Sequence, residues 1–405
     1  MLLTFGSAWP AVLCSSFSPE SILMYLAWRE VLFARTRFLL MGVVLGLMSL
    51  LVVIISGLTA GLVNDGVSGL KAIDADVIAF ADGTQTDSAF TRSIVDITEA
   101  EQFADIDGVA QAAPLGLTIV NAHNQDGTAV DLTLLGVEPD SFIAPQGLPA
   151  ISTKAHTGSP TATKHDVIVS STLQEEGIEI GDTITIDRLE TPLHVVGFSD
   201  GQRTFGHVDV AYLPLDVWQE IHAGTRAGEA VNPAAYEEVS VIAARTDNKP
   251  DVAALSAASG LDVRTMAESF NSSPGYTAEM MTLSMIKWFL YVIAALVTGA
   301  FFLVWTIQRA GSIATLRAMG ATKGFLLRDS LGQAVAILAA SILIGVTLAV
   351  GIGSLLETTA MPYATEFGPV VSGGVILFIA GLLGALVAVM RVTRTNPLAA
   401  LGENR

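Results

Sequence analysis

Cysteine and basic residues are scarce in this 405-residue chain, and four long stretches carry no charge at all. The single cysteine, Cys14, excludes an internal disulfide, so any folded domain must be held by its own apolar core. Against 39 Asp and Glu stand only 21 Lys and Arg, a formal charge of −18. A nucleic-acid binder needs a basic footprint to displace counterions from phosphates, so no nucleic acid is expected as a partner. No lysine is followed by Ser or Thr; the phosphate loop ending in Gly-Lys-Ser/Thr is absent, and any ATP must be bound by a separate subunit. No H-E-x-x-H occurs, and the six histidines are dispersed between positions 123 and 222 without metal-ligand spacing. The expectation is a chain with no catalytic residues, no intrinsic cofactor and no intrinsic metal.

One catalytic pattern is present in the wrong surroundings. Gly197, Phe198, Ser199, Asp200 and Gly201 fit G-x-S-x-G, with His207 close behind. A nucleophile elbow needs a strand leading into a helix, whereas residues 208–213 alternate like a second strand. The glycines are expected to serve a tight hairpin connection instead.

What is abundant is apolar length. Uncharged runs cover residues 38–62, 288–307, 331–356 and 370–390. At ~1.5 Å rise per residue, each can cross a hydrocarbon layer about 30 Å thick. Lipid offers no partner to backbone N–H and C=O groups, so such runs are read as helices. The expected fold class is a membrane protein with four transmembrane α-helices and a large α+β extracytoplasmic domain, residues 63–286, between the first and second. Residues 62–286 hold 33 acidic against 10 basic side chains, a charge of −23, so the acidity of the chain belongs to that domain.

Cations fix the expected orientation. Arg29, Arg35 and Arg37 precede the first run; Arg309, Arg317, Lys323 and Arg328 lie between the second and third; Arg391, Arg394 and Arg405 follow the fourth. By the positive-inside rule these ends are cytoplasmic, which places both termini inside a multi-pass cytoplasmic-membrane protein. Residues 1–37 form an N-terminal segment, 308–330 a cytoplasmic loop, 357–369 an outer loop and 391–405 a cytoplasmic tail. The first 23 residues lack the basic start and the small-residue cleavage site of a secretory signal, and Met24 reads as a natural beginning. From there Leu26, Val31, Leu32 and Phe38 alternate with Arg29, Arg35 and Arg37, a pattern suited to an amphipathic helix on the inner membrane surface.

Within the outer domain, residues 117–122 and 130–136 read as strands joined by the turn cluster Asn124, Gln125, Asp126 and Gly127. Further strands are expected at 166–170, 182–187, 193–198, 208–213 and 239–244, with helices at 171–177, 214–222 and 252–259. In the membrane runs, Gly42 and Gly46, then Gly345, Ala349 and Gly353, place small residues four apart on one face and favour helix association.

The loop after the second run holds Ser312, Ile313, Ala314, Thr315, Leu316, Arg317, Ala318, Met319, Gly320, Ala321, Thr322, Lys323, Gly324 and Phe325. It resembles the coupling segment of ATP-binding-cassette (ABC) permeases of the MacB and FtsX type. Leu26-Ala27-Trp28-Arg29, the stretch Asp166 to Asp182, and Asn396-Pro397-Leu398-Ala399-Ala400-Leu401 are similar to other motifs of that family. The resemblance implies a non-catalytic permease that dimerises with a second copy of itself and sits on two ABC ATPase subunits, with ATP and Mg held by those partners. It implies that Leu316, Arg317, Met319 and Gly320 couple to the ATPase. Leu316 and Met319, at i and i+3, suit a groove in a partner without reference to the family.

The opening Trp28-Arg29-Glu30-Val31-Leu32-Phe33 and the chain's size look nearest to the haem-exporting permeases of the HrtB group. The resemblance implies extraction of haem from the outer leaflet by transmission of ATPase closure through the spans. Uncharged spans are poorly suited to line an aqueous pore. Haem needs an apolar slot with a soft or anionic iron ligand. Tyr276, Glu279, Met280, Met281 and Met285 gather at the outer end of the second span, with Glu279, Met280 and Met281 as possible iron ligands. The family's first two spans face the dimer partner, so Asn64 and Asp65 are expected to join them. Glu357, Met361 and Tyr363 form a second candidate set. The alternatives are a non-transporting regulator of a cell-wall hydrolase, resembling FtsX, and an exporter of peptides, drugs or lipoproteins.

Overall fold

A computed structural model describes residues 35–148, 165–308, 320, 322–359 and 361–393. The chain divides into two compact units: a sheet unit, Gly61–Thr282, and a helix unit formed by Met1–Ala60 with Leu283–Arg405. Four helices are long and apolar enough to cross a membrane.

The first helix, α1, runs Arg35–Lys71 and outlasts its uncharged run by nine residues. In chain order the sheet unit then contributes β1 (Val77–Phe80), α2 (Ala89–Arg92), β2 (Val95–Asp96), α3 (Thr98–Ala104), β3 (Val109–Val120), β4 (Ala122–His123), β5 (Leu132–Val137) and β6 (Asp166–Val169). There follow α4 (Thr172–Glu175), β7 (Thr183–Ile186), β8 (Thr191–Phe198), β9 (Thr204–Phe205), β10 (Val208–Pro214) and α5 (Leu215–His222). The unit continues through β11 (Glu238–Val239), β12 (Val241–Thr246), α6 (Val252–Ser259), β13 (Asp262–Thr265) and α7 (Met266–Ser269). The remaining helices are α8 (Tyr276–Gln308), α9 (Lys323–Leu356) and α10 (Phe367–Thr393).

One large sheet has the strand order β13-β1-β12-β3-β5-β10-β6-β8-β7-β4, with β9 paired to β10. The β5·β10 and β6·β8 pairs are parallel; the others are antiparallel. Helices α3 to α6 intervene among the strands, the α+β arrangement expected. The turn cluster after β4 does what its residues suggest: Asn124 Oδ1 accepts from Asp126 N at 3.0 Å and Thr128 N at 2.9 Å, with Gly127 at φ +78°. β1 went unread in the sequence because all four of its residues are buried and it shows no alternation.

Two apolar clusters fill the sheet unit. One includes Leu132, Leu134, Val167, Leu213 and Trp218; the other includes Val67, Leu70, Ile78, Phe80, Phe90 and Phe205. Val67 and Leu70 belong to α1, which explains its length: beyond the uncharged run the helix keeps one apolar face and buries it in the sheet unit's core. Val67 itself departs from helical backbone, at φ −146° and ψ 18°, and kinks α1.

In the helix unit, α1, α8, α9 and α10 share a core containing Phe38, Leu45, Tyr291, Phe302, Leu338 and Leu377. Glycine sets the closest approaches. A Cβ on Gly345 would strike the Gly46 carbonyl, and one on Gly384 would strike that of Ala295. Ser49 Oγ donates to Ile342 O at 3.2 Å, an interhelical bond; Ser56, Thr298 and Thr306 return theirs to the preceding turn.

Candidate functional site

Three of the candidate site residues meet inside the sheet unit, through Gln202 and through His207, which the sequence drew notice to only beside the G-x-S-x-G pattern. The β9–β10 hairpin turns on Gly206 at φ +58° and His207 at φ +65°, the doubly positive geometry that matches strand twist in a two-residue turn. Glycine takes that conformation freely, whereas at His207 it costs on the order of 1 kcal/mol. A histidine held there is therefore fixed by its surroundings.

The surroundings are specific. Gly206 N donates to Gly66 O at 2.9 Å, beside the kink in α1, and Ser273 Oγ donates to the same carbonyl at 3.1 Å. Pro274 packs over Gly206. Ser68 Oγ accepts from Thr204 N at 2.9 Å and lies 2.8 Å from Thr204 Oγ1. The hairpin is thus pinned at once to the end of α1 and to the start of α8.

From this base a chain of side chains extends. Asn64 Nδ2 donates to Gln202 Oε1 at 3.1 Å, and Gln202 Nε2 donates to Asp65 Oδ1 at 2.9 Å. Asp65 Oδ2 lies 2.6 Å from His207 Nδ1, and Glu279 Oε2 lies 3.2 Å from His207 Nε2. All three of the last groups are a quarter to a third exposed. With both acids ionised, each ring nitrogen must carry hydrogen to make these bonds, so the geometry is that of an imidazolium between two carboxylates. Burial opposes charge on His207, but the Asp65 hydrogen bond and the negative charges of Glu279 and Asp65 together hold it above its ordinary value.

Glu279 stands on the first turn of α8, where a carboxylate also meets the positive end of the helix. Its neighbours differ in role. Tyr276 packs against the core cluster and lies over Gly66, and burial raises its phenol. Met280 is half-buried, whereas Met281 is 69% and Met285 52% exposed. Asn64, Asp65, Tyr276, Glu279, Met280 and Met281 all lie in the sheet unit; Met285 lies in the helix unit.

The second candidate set is a structural corner of the helix unit. Tyr363 is only 8% exposed, and its ring fills a slot left by Gly57 of α1 and Gly353 of α9, 2.7 Å from where a Gly353 Cβ would stand. Ala364 N donates to Gly57 O at 3.2 Å, and Glu357 Oε1 accepts from Thr365 N at 2.6 Å. Met361 is exposed. Of the coupling residues, Gly320 is in a turn at φ +99°, two residues before Thr322 caps α9; Leu316, Arg317 and Met319 lie outside the described residues.

Ser199 does not form a nucleophile elbow. It follows β8 in a loop, and its hydroxyl donates to Gly201 O at 3.0 Å. The tight turn is at Gly206 and His207 rather than at the glycines of the G-x-S-x-G pattern. Among the described residues no group of three or more His, Cys, Asp or Glu side chains is arranged to hold a metal ion. Gln202 and His207 were missed because they lie 137 and 142 residues from Asp65. The one local signal was a histidine directly after glycine between two strand-like runs, where Gly or Asn is the usual occupant.

Known proteins share this plan. Residues 38–259 match the MacB-like periplasmic core domain, and residues 284–397 match the FtsX-like permease C-terminal domain. The HrtB protein of Staphylococcus haemolyticus, named a hemin transport system permease, is 23% identical over 384 residues, spanning 94% of this chain and 99% of its own. A protein of the same name from Staphylococcus epidermidis is 22% identical over 379 residues, with the same coverage of each chain. The extracellular domain of the ABC-type transporter YknZ from Gram-positive bacteria aligns at 13% identity and a TM-score of 0.30, covering 47% of this chain and 98% of that one. With the first of these models covering more than half of the sequence, the chain belongs to the family of multi-pass membrane permeases that carry a MacB-like periplasmic core domain ahead of an FtsX-like permease C-terminal domain.

Proposed function

We propose that this chain is the permease subunit of an ATP-driven ABC exporter that takes a hydrophobic substrate, haem first among them, from the outer leaflet of the cytoplasmic membrane. Two copies would associate, each with an ATPase subunit on the cytoplasmic side, both termini facing that side. ATPase closure would reach the outer domain through the spans. Relatives named for hemin transport over almost their whole length support the substrate class. The observation that carries the site is Glu279, a carboxylate about a third exposed and held on the first turn of α8 with Met280 and Met281 next to it. A haem iron takes an anionic oxygen or a thioether as axial ligand, and the exposed Met281 beside the half-buried Met280 offers the porphyrin an apolar, polarisable face.

The test is an absorbance titration of haemin onto the complex purified with its ATPase. The expected result is a saturable Soret shift that disappears in the combined Glu279→Gln, Met280→Ala, Met281→Ala variant. Absence of a shift in the unaltered complex removes haem as substrate. A separate arm addresses coupling: Leu316→Asp with Met319→Asp buries charge in any ATPase groove and should abolish substrate-dependent ATP turnover without unfolding the sheet unit.

A further inference from the structure

Glu279 does not stand alone; it is the last member of a hydrogen-bonded series, Asn64–Gln202–Asp65–His207–Glu279, within the sheet unit. Each link constrains the next. Gln202 spans Asn64 and Asp65 with its two amide ends, which leaves Asp65 Oδ2 for the imidazole. His207 then has one nitrogen on Asp65 and the other on Glu279 Oε2. No hydrogen bond to Glu279 Oε1 occurs among the described residues, and a Cβ on Gly275 would stand 3.7 Å from it.

A carboxylate that binds a metal is usually hydrogen-bonded through its other oxygen, because that bond fixes its plane and keeps it from swinging into solvent. Here Oε2 is so held and Oε1 is free, without any rearrangement. The imidazole is in turn held in a backbone conformation unfavourable to histidine, on a hairpin fastened through Gly206 and Thr204 to α1. Packing alone does not require this residue at the turn, since glycine fits the same φ without strain.

We infer that His207 is a positioning residue for the substrate site: tied to Asp65, it presents Glu279 with one carboxylate oxygen directed to the iron of a bound metalloporphyrin. The inference rests on the proposed reading of Glu279 as an iron ligand. Gln202 and Asn64 act at one further remove, by orienting Asp65.

The test uses the full chain assembled with its ATPase in nanodiscs, with haemin as the probe. His207→Gly keeps the turn and deletes the imidazole; His207→Asn, also at ease at positive φ, is the second variant should the first fail to assemble. Affinity comes from Soret titration and the axial ligand from electron paramagnetic resonance. Unaltered complex should show oxygen-ligated high-spin iron. His207→Gly should weaken haemin binding about 10–100-fold and change the rhombicity of the high-spin signal, and Asp65→Asn should act in the same direction. In a Glu279→Gln background, His207→Gly should have no further effect, because the imidazole acts only through that carboxylate. Equal losses in both backgrounds overturn the inference and make His207 a structural pin. Nitrogen-ligated low-spin iron that vanishes in His207→Gly also overturns it, since His207 would then be the ligand. If haemin binds but Glu279→Gln binds it unchanged, or if haemin does not bind at all, the failure lies in the reading of Glu279 itself.

Discussion

Glycine works differently in the two units. In the sheet unit Gly116 of β3 and Gly136 of β5 form a bare patch into which α5 lowers Trp218; a Cβ on either would overlap the indole. In the helix unit Gly345 and Gly384 bring backbone against backbone, at Gly46 O and Ala295 O, while Gly57 and Gly353 make room for the single ring of Tyr363. The difference follows from the solvent each unit faces. In water, the gain comes from removing a large apolar ring from solvent, so small residues make room for a big one. In lipid no such gain separates one apolar group from another, and helices associate through close van der Waals contact that a side chain would hold apart.

The sharpest test of this contrast is at the ring. Trp218→Ala should destabilise the sheet unit by about 3–5 kcal/mol, read as a fall in denaturation midpoint of the solubilised chain by near-ultraviolet circular dichroism. Trp218→Phe should recover most of the loss, because Nε1 is buried without a hydrogen-bond partner among the described residues and its removal relieves that cost. Next comes Gly384→Ala, expected to cost the helix unit about 1–3 kcal/mol, since a backbone carbonyl cannot swing aside as a side chain can. Thermal aggregation in detergent measures it. An effect near zero would break the comparison by showing that the helices do not depend on that approach.

A smaller effect separates two histidines of the sheet unit. Burial against the stacked Trp218 lowers the pKa of His222, a shift the nearby Glu238 only partly opposes. Its contribution to stability is therefore complete above the unfolded value of about 6.5 and is lost as pH falls through the lowered folded value. His207, raised by its two acids, behaves in the opposite sense: its contribution is complete below the unfolded value and is lost as pH rises through the folded one. Melting temperature against pH should flatten on the acid side in His222→Gln and on the neutral-to-alkaline side in His207→Gly. The smallest change is expected at Gly127, at φ +78° with open space around it: Gly127→Asn should shift stability by a few tenths of a kcal/mol.

Much of the plan was legible because it is written in local patterns. The uncharged runs lie within α1, α8, α9 and α10, and the turn at Asn124 to Gly127 is where its residue types demand. The small-residue spacing correctly marked Gly345 as a contact, but not that Gly353 serves the ring of Tyr363 rather than a helix. Glu279 was named as a candidate for its place at the outer end of the second span, and Asn64 and Asp65 through the family resemblance. His207 and Gln202 were not, since their value lies only in what they touch.

The sequence by itself determined that four segments cross a bilayer and that an acidic α+β domain interrupts them, because span length and charge are properties of each segment alone. Only tertiary structure decided that His207 meets Asp65 and Glu279, 142 and 72 residues away. The physical reason is register: pairing of β10 with β5 and β6 sets where the β9–β10 turn falls, and no local propensity encodes which helix ends it will reach.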